Sequence, residues 1–264
     1  MSSSTHQQHS LITESWVFAT RLFTQWRRYP LVPMQGLLFP TGLLVIYGLL
    51  VGKSMVRLTG NSGLDVLIPV CALAGAMSGA AGAGLAVPND RDSGLLTRLW
   101  MMPVHRMAPL AGALLAEAVR TFVGTALVVL TAYAMGFRFS GSLIEFVVYL
   151  SIPVIVVLAV ATIVITLALR PGGRVILMWT NTACTGLAFA TLIPVAKMPA
   201  LLRPLAEYQP IAPAAAAMRA LSSGGDAWLP IALTVLWVAV LMALFVPATV
   251  RSYREAAEVG KVES

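Results

Sequence analysis

Long apolar runs alternate with short polar segments along this chain. Five of the runs carry no charged residue, and a sixth is interrupted only by Glu117 and Arg120. Each run reaches the roughly 20 residues that a helix needs to cross the hydrocarbon core of a membrane. The six runs cover residues 31–52, 66–89, 107–137, 146–169, 175–196 and 227–250. The pattern predicts an all-α integral membrane protein with six transmembrane helices and no separate soluble domain.

Composition supports this prediction and gives the chain an orientation. Hydrophobic residues make up 58% of the sequence and charged residues 11%, against about 25% charged residues in soluble domains. If the N-terminus is cytoplasmic, eleven of the 18 Lys and Arg residues fall on the inner side and six on the outer side. This bias predicts a plasma-membrane protein with both termini in the cytoplasm. Because topology accounts for the net charge of +7, nucleic acid is not expected as a partner.

The residues before the first apolar run have an amphipathic pattern. Ile12, Trp16, Ala19, Phe23 and Trp26 recur at helical spacing, and basic residues occupy the other faces. Such a helix suits the cytoplasmic membrane interface, and the alternative is a simple extension of the first span. The predicted domains are residues 1–30 (cytoplasmic tail and interfacial helix), 31–250 (six-span transmembrane domain) and 251–264 (cytoplasmic C-terminal tail).

The polar segment between the second and third runs concentrates charge in an apolar region. Asp90 and Asp92 precede residues 93–102, whose leucines recur at helical spacing. The predicted short helix is apolar on one side, while Arg91 and Arg98 project elsewhere. A helix of this kind is suited to docking a partner. A solvated loop resting on lipid head groups fits the spacing equally well, and both interpretations stay open.

The third run contains an acid and a base one helical turn apart. A charge at mid-membrane costs a few kcal/mol, and pairing of Glu117 with Arg120 at i, i+3 offsets part of that cost. The pair either lines a water-accessible interface used by a substrate or acts as a structural clamp. The sequence favours the clamp slightly, and a role in conformational change stays open.

Two further helical faces carry candidate contacts. Asn181 and Thr185 lie four residues apart on the fifth run, where they can bond to a neighbouring helix or touch a polar group of a substrate. Gly75 and Gly79 form a small-xxx-small face on the second run, which serves packing within the chain or a subunit seam equally well. The proline-rich segment 197–226 predicts half-helices that dip into the outer leaflet.

The sequence gives no sign of catalytic or cofactor chemistry. Residues 52–54 (Gly-Lys-Ser) imitate the end of a phosphate-binding loop, but Tyr47 stands where the loop needs its first glycine. Cys71 and Cys184 both fall within predicted spans, so neither a disulfide framework nor a metal site is expected. We therefore expect no cofactor in this chain, no metal, and no enzyme activity of its own.

The whole chain resembles the permease subunits of type-2 ABC exporters, especially the daunorubicin-resistance branch in actinobacteria and mycobacteria. No single motif carries the resemblance; the order and spacing of several motifs do. The motifs are Asp90-Arg91-Asp92-Ser93-Gly94-Leu95-Leu96 with Leu99, Pro103-Val104-His105-Arg106, Gly136-Phe137-Arg138-Phe139, Tyr208-Gln209-Pro210 and Met218-Arg219-Ala220-Leu221.

The resemblance implies an ATP-driven exporter in which the loop after the second span is a coupling helix that docks on a separate ATPase subunit. It implies two ATPase chains, which hold ATP and Mg²⁺, and two permeases, the second often a different sister subunit. Amphipathic drugs and large envelope lipids are the implied substrates. The family usually has Glu where Asp92 stands. The implied docking residues are Asp90, Arg91, Asp92, Gly94, Leu95, Arg98 and Leu99.

Two other classes of protein compete with this interpretation. An integral-membrane enzyme needs several polar groups converging at one depth, whereas the predicted spans contain one acid, Glu117, and no histidine. A proton-coupled transporter would use Glu117 as its relay, but Arg120 lies within pairing distance of that carboxylate. The exporter subunit is the predicted function.

Overall fold

Every regular element in the described part of the chain is an α-helix. The computed structural model describes residues 11–28, 31–59, 63–92, 108–169, 173–192, 200 and 209–259. In chain order the helices are α1 (Leu11–Arg28), α2 (Leu31–Thr59), α3 (Gly63–Asp92), α4 (Ala108–Ala134), α5 (Leu143–Ala168), α6 (Gly173–Ala190), α7 (Ile211–Ser223) and α8 (Trp228–Val259).

In the described residues, the greater part of each apolar run lies on one of these helices, and α1 covers the predicted N-terminal amphipathic helix. Among the described residues, four helical segments have the length and hydropathy to cross a membrane: Gly63–Ala81, Ala108–Ala134, Leu143–Ala168 and Trp228–Ser252. Two shorter apolar helices, Gly36–Leu50 and Val175–Ala190, accompany them. The prediction of a helical membrane protein is confirmed.

Two helices extend further than the apolar pattern indicates. α3 continues through Asp92, so Asp90 and Asp92 belong to the end of the second apolar helix instead of the start of the next one. α8 continues to Val259, because the strong helix formers of residues 251–259 give the chain no reason to stop at the end of the apolar run. The predicted short helix 93–102 lies outside the described residues.

Helix α3 occupies the centre of the fold. It packs against α2, α4, α5, α6 and α7, and nearly all side chains of its apolar part are buried. Small residues make this possible because they let neighbouring backbones approach closely. The peripheral helices contact fewer neighbours, with α1 packed mainly on α4, and α8 on α5 and α7.

A short ordered turn joins α4 to α5. Gly136 ends α4 with a φ of 98°, a left-handed conformation that glycine adopts without strain. Ser142 and Glu145 then form a capping box, with the Ser142 N–H donating to Glu145 Oε2 at 2.6 Å and the Glu145 N–H donating to Ser142 Oγ at 3.3 Å. The cap satisfies backbone donors that would otherwise lack partners, and it fixes the point at which α5 begins.

Candidate functional site

The charged pair of α4 is buried in the centre of the helix bundle. Glu117 is 3% exposed and Arg120 is 7% exposed. The Arg120 Nε donates to Glu117 Oε1 at 3.1 Å and to Oε2 at 3.0 Å, and Nη2 contacts Oε1 as well. Both carboxylate oxygens are therefore occupied by one guanidinium, an arrangement that makes a strong charge-assisted contact.

Two glycines on neighbouring helices make room for this pair. A Cβ on Gly79 of α3 would overlap Arg120 Nη2 and Glu117 Oε1, and a Cβ on Gly36 of α2 would overlap Arg120 Nη1. The guanidinium is thus held between the backbones of α2 and α3. Neither helix could carry a larger residue at these positions without displacing the charges.

The small-residue face of α3 is used for packing within the chain. A Cβ on Gly75 would come within 2.7 Å of Pro40 Cγ in α2, and Gly79 faces the ion pair. The sequence left packing within the chain and a subunit seam equally weighted for Gly75 and Gly79. The structure decides for packing within the chain, since α2 and α4 already cover both glycines.

Helix α1 crosses α4 one to two turns before the ion pair. A Cβ on Gly112 would lie 2.5 Å from Phe18 Cβ and 2.8 Å from the Ser15 carbonyl oxygen. Gly112 precedes Glu117 by five residues, which is about 7.5 Å along a helix. The N-terminal helix, the ion pair and the glycines of α2 and α3 therefore meet along one helix, α4.

The predicted docking residues lie at the far end of α3 and beyond it. Asp90, Arg91 and Asp92 are helical, and their side chains are outside the described set. The other four predicted positions, Gly94, Leu95, Arg98 and Leu99, fall between the described segments. α3 therefore leads directly from the predicted docking segment to Gly79 and the ion pair.

The polar face predicted on the fifth run lies on α6. Thr185 is half-buried there, and the side chain of Asn181 is outside the described set. A different residue bonds the end of this helix: Arg219 of α7 donates from Nη1 to the Thr191 carbonyl oxygen at 3.3 Å. A cation at a helix C-terminus pairs with carbonyl groups that have no helical partner. The local sequence carries no signal of this role of Arg219, because only tertiary packing brings α7 to the end of α6.

Hydrogen bonds among buried threonines join α5 to α8 in a contact that we call the threonine clasp. Thr166 Oγ1 and Thr249 Oγ1 are 2.6 Å apart, and the Thr249 hydroxyl also lies 3.1 Å from the Thr162 carbonyl oxygen. All three threonines are buried. Their signal in the sequence is weak, since threonine in a membrane helix usually bonds to its own backbone. Hydrogen bonds between helices help hold membrane bundles together.

Comparison with known proteins decides the family. Residues 13–222 match the ABC-2 type transporter family. The chain belongs to that family. It is also 30% identical, over 93% of its length and 90% of the relative's, to the probable doxorubicin resistance ABC transporter permease DrrC of Mycobacterium tuberculosis, in strain H37Rv and in strain CDC 1551.

A more distant relative of this ABC-2 permease is the putative transport permease ycf38 of Cyanophora paradoxa. The two are 31% identical over 96 residues, which is 36% of this chain and 33% of the relative. No solved structure gives a significant match. The predicted resemblance and the predicted function are confirmed at the family level: this is the membrane subunit of an ABC exporter.

Proposed function

We propose that this ABC-2 permease exports an amphipathic or apolar molecule, a drug or an envelope lipid, across the plasma membrane with energy from a separate ATPase subunit. The alignment to the M. tuberculosis permease over 93% of this chain carries the proposal. That relative is named for resistance to doxorubicin, which supports an amphipathic substrate.

The substrate and its energy source are tested together in inverted membrane vesicles that contain the permease and its ATPase. We expect ATP to drive uptake of doxorubicin or a labelled lipid, and a proton gradient without ATP to drive none. Uptake that follows the proton gradient would instead support a proton-coupled transporter that uses Glu117.

We further propose six spans with both termini in the cytoplasm and a re-entrant outer segment. α7 supports the re-entrant segment: its 13 residues span about 20 Å, too little to cross a hydrocarbon core of about 30 Å. Its inner face is buried against the bundle, with Ala214, Ala215 and Met218 fully covered. A short helix surrounded by protein is the form in which non-spanning backbone is tolerated at membrane depth.

Cysteine labelling of whole cells tests this topology. In a chain lacking Cys71 and Cys184, we expect Ser223→Cys to react with a membrane-impermeant maleimide from outside. Arg251→Cys is expected to react only after permeabilisation. The chain's own packing leaves both positions exposed, so burial within the protein does not explain a failure to label. The reverse labelling pattern would contradict the proposed orientation.

The docking site for the ATPase is proposed at Asp90, Arg91, Asp92, Gly94, Leu95, Arg98 and Leu99. The position of the segment supports the proposal. It connects the end of α3 to the start of α4, the two helices that meet at Gly79 and the ion pair. A displacement of this segment by the ATPase would reach the centre of the bundle through both helices.

Charge reversal at the docking segment tests this proposal. Arg91→Glu and Arg98→Glu are expected to reduce copurification of the ATPase and ATP-dependent transport together, while the permease still reaches the membrane. Arg251→Glu is the matched control, because Arg251 is an exposed basic residue at the predicted cytoplasmic side and outside the docking segment. Retained ATPase binding in both docking variants would remove the basis for this assignment.

We also propose that the transporter contains two ATPase chains and a second permease, which is a different sister subunit. The mass of the complex purified from its native host, measured by native mass spectrometry, tests the stoichiometry. We expect two different permease masses and two ATPase copies. Two copies of this chain alone would contradict the sister subunit.

We propose that Glu117 and Arg120 act as a structural clamp rather than as a proton relay. Both carboxylate oxygens are bonded to Arg120, and Gly79 of α3 lies directly against the pair. A relay needs a carboxylate that can exchange protons with water along a pathway. Tight packing and full pairing instead favour a fixed contact that joins α2, α3 and α4.

A further inference from the structure

A small cavity lies beside the ion pair, in the seam between α2, α3 and α4. Its volume is about 10 Å³, close to the lower limit for one water molecule. Polar groups line one side of it, contributed by Arg120, Thr121 and Thr125. An apolar cavity stays dry, whereas a polar one of this size holds an ordered water when it offers two to four hydrogen-bonding partners.

Both hydroxyls that line the cavity lack a hydrogen-bond partner within the protein. Thr121 is 4% exposed and Thr125 is 2% exposed, and neither Oγ1 is paired. Threonine hydroxyls on the same helix can bond to the helix backbone, as Thr131 does to the Leu127 carbonyl oxygen at 2.9 Å. Two unpaired hydroxyls buried in one seam are costly, and buried polar groups are normally satisfied by a protein group or an ordered water.

A backbone carbonyl on the opposite wall lacks its helical donor. In α2 the Gly36 carbonyl would normally accept a hydrogen bond from residue 40, but Pro40 has no N–H. The Gly36 carbonyl oxygen lies 3.9 Å from the position of a Cβ on Gly124, and both glycines line the cavity. The cavity therefore brings together two hydroxyls, one carbonyl without a helical donor and the guanidinium of Arg120.

We propose that this cavity is a binding site for a single ordered water molecule that bridges the hydroxyls of Thr121 and Thr125 to the Gly36 carbonyl, beside Arg120. Water can donate two hydrogen bonds and accept two, which matches a site that holds both hydroxyl groups and a carbonyl. The water joins α2 to α4 at the depth of the ion pair. This inference is independent of the transported substrate and of the ATPase docking site.

Isosteric replacement of each hydroxyl tests for the water, because the sign of the change in apparent Tm depends on whether the water is present. If the hydroxyls are unpaired in a dry cavity, Thr121→Val and Thr125→Val remove a buried polar group and raise or preserve the apparent Tm of the purified permease. If the water is present, each variant loses a hydrogen bond and lowers the apparent Tm by about 2–4 °C. The double variant then lowers it by less than the sum, because the two hydroxyls share one water.

Thr131→Val is the matched control, since its hydroxyl bonds within α4 and away from the cavity. Combined with Thr125→Val, it is expected to give an additive change in apparent Tm. A rise or no change in either cavity variant overturns the proposal. Additive losses for Thr121→Val and Thr125→Val overturn it as well, because they exclude a shared partner.

Filling the cavity provides a second, independent measurement. The new methyl group of Gly124→Ala would lie 3.3 Å from Leu37 Cδ2, at the edge of the cavity. If the water is present, Gly124→Ala displaces it and lowers the apparent Tm. Gly42→Ala is the control: its methyl group points into open space, and the higher helix propensity of alanine should raise the apparent Tm slightly. In the Thr121→Val, Thr125→Val background the loss should disappear. A loss that persists there arises from steric contact and contradicts the water site.

Discussion

Removal of one partner of the Glu117–Arg120 pair is the most informative single perturbation of this bundle. Glu117→Gln leaves a buried guanidinium without a counter-charge, and Arg120→Met leaves a buried carboxylate without one. Both side chains are more than nine-tenths buried, so bulk solvent cannot stabilise the charge that remains. Replacement of both residues, as in Glu117→Leu with Arg120→Met, removes the charges together and keeps much of the volume.

The single replacements are expected to cost much more stability than the double replacement. Two opposite charges 4 Å apart attract by about 4 kcal/mol at an effective dielectric constant of 20. Removing one member of a buried pair typically costs about 3–5 kcal/mol, whereas replacing the pair with apolar residues is often neutral or stabilising. At about 2–4 °C per kcal/mol for a chain of this size, a 3 kcal/mol loss lowers the apparent Tm by at least about 6 °C. The double replacement should recover most of that loss.

The assay is thermal unfolding of the detergent-purified permease, followed by size-exclusion chromatography after heating, with ATP-dependent transport measured on the same variants in vesicles. If the pair is a clamp, stability and transport fall together in the single variants and recover together in the double variant. Single variants that stay within about 1 °C of the wild type would refute the structural argument. A double variant that is stable yet inactive would show that the charges serve transport directly.

Three further contacts give predictions that differ in cause. Gly79→Ala should lower the apparent Tm by several degrees, because the added methyl group overlaps the ion pair. Gly42→Ala, whose methyl group meets no neighbour, should not lower it. Equal effects of the two variants in thermal unfolding would contradict the close approach of Gly79 to the pair. Thr249→Val should lower the free energy of unfolding by about 1 kcal/mol, because the hydrogen bond between α5 and α8 is lost. A rise in apparent Tm would show that this contact is not stabilising. Arg219→Met should destabilise the bundle and increase proteolysis near Thr191, because the end of α6 loses its cation. An unchanged digestion pattern would exclude a stabilising role of Arg219 at the end of α6.

Most of the fold is recoverable from the sequence because a membrane imposes a simple rule. Every backbone polar group in hydrocarbon must be bonded within the protein, so long apolar runs become helices. The runs at residues 107–137 and 146–169 predicted α4 and α5 to within three residues at each end. Helix ends were less predictable. α3 and α8 continue into polar sequence, since charged residues that form helices well do not stop a helix at the membrane boundary.

The candidate site was only partly predictable, because local spacing does not specify which helices meet. The i, i+3 spacing of Glu117 and Arg120 predicted their pairing. The glycine spacing of Gly75 and Gly79 predicted a close helix contact, but the sequence could not say that Gly79 faces that pair. Arg219, which bonds the end of α6, carries no local signal of that role.

The sequence by itself determined the class of protein, the approximate limits of the long apolar helices, and the family. These follow from hydropathy and from motifs whose residues lie close together along the chain. The tertiary structure decided which residues meet across helices: the ion pair between Gly36 and Gly79, the threonine clasp, and the cavity at Thr121 and Thr125. Each of these depends on the rotation of one helix against another, which side-chain packing fixes and a single helical pattern cannot encode.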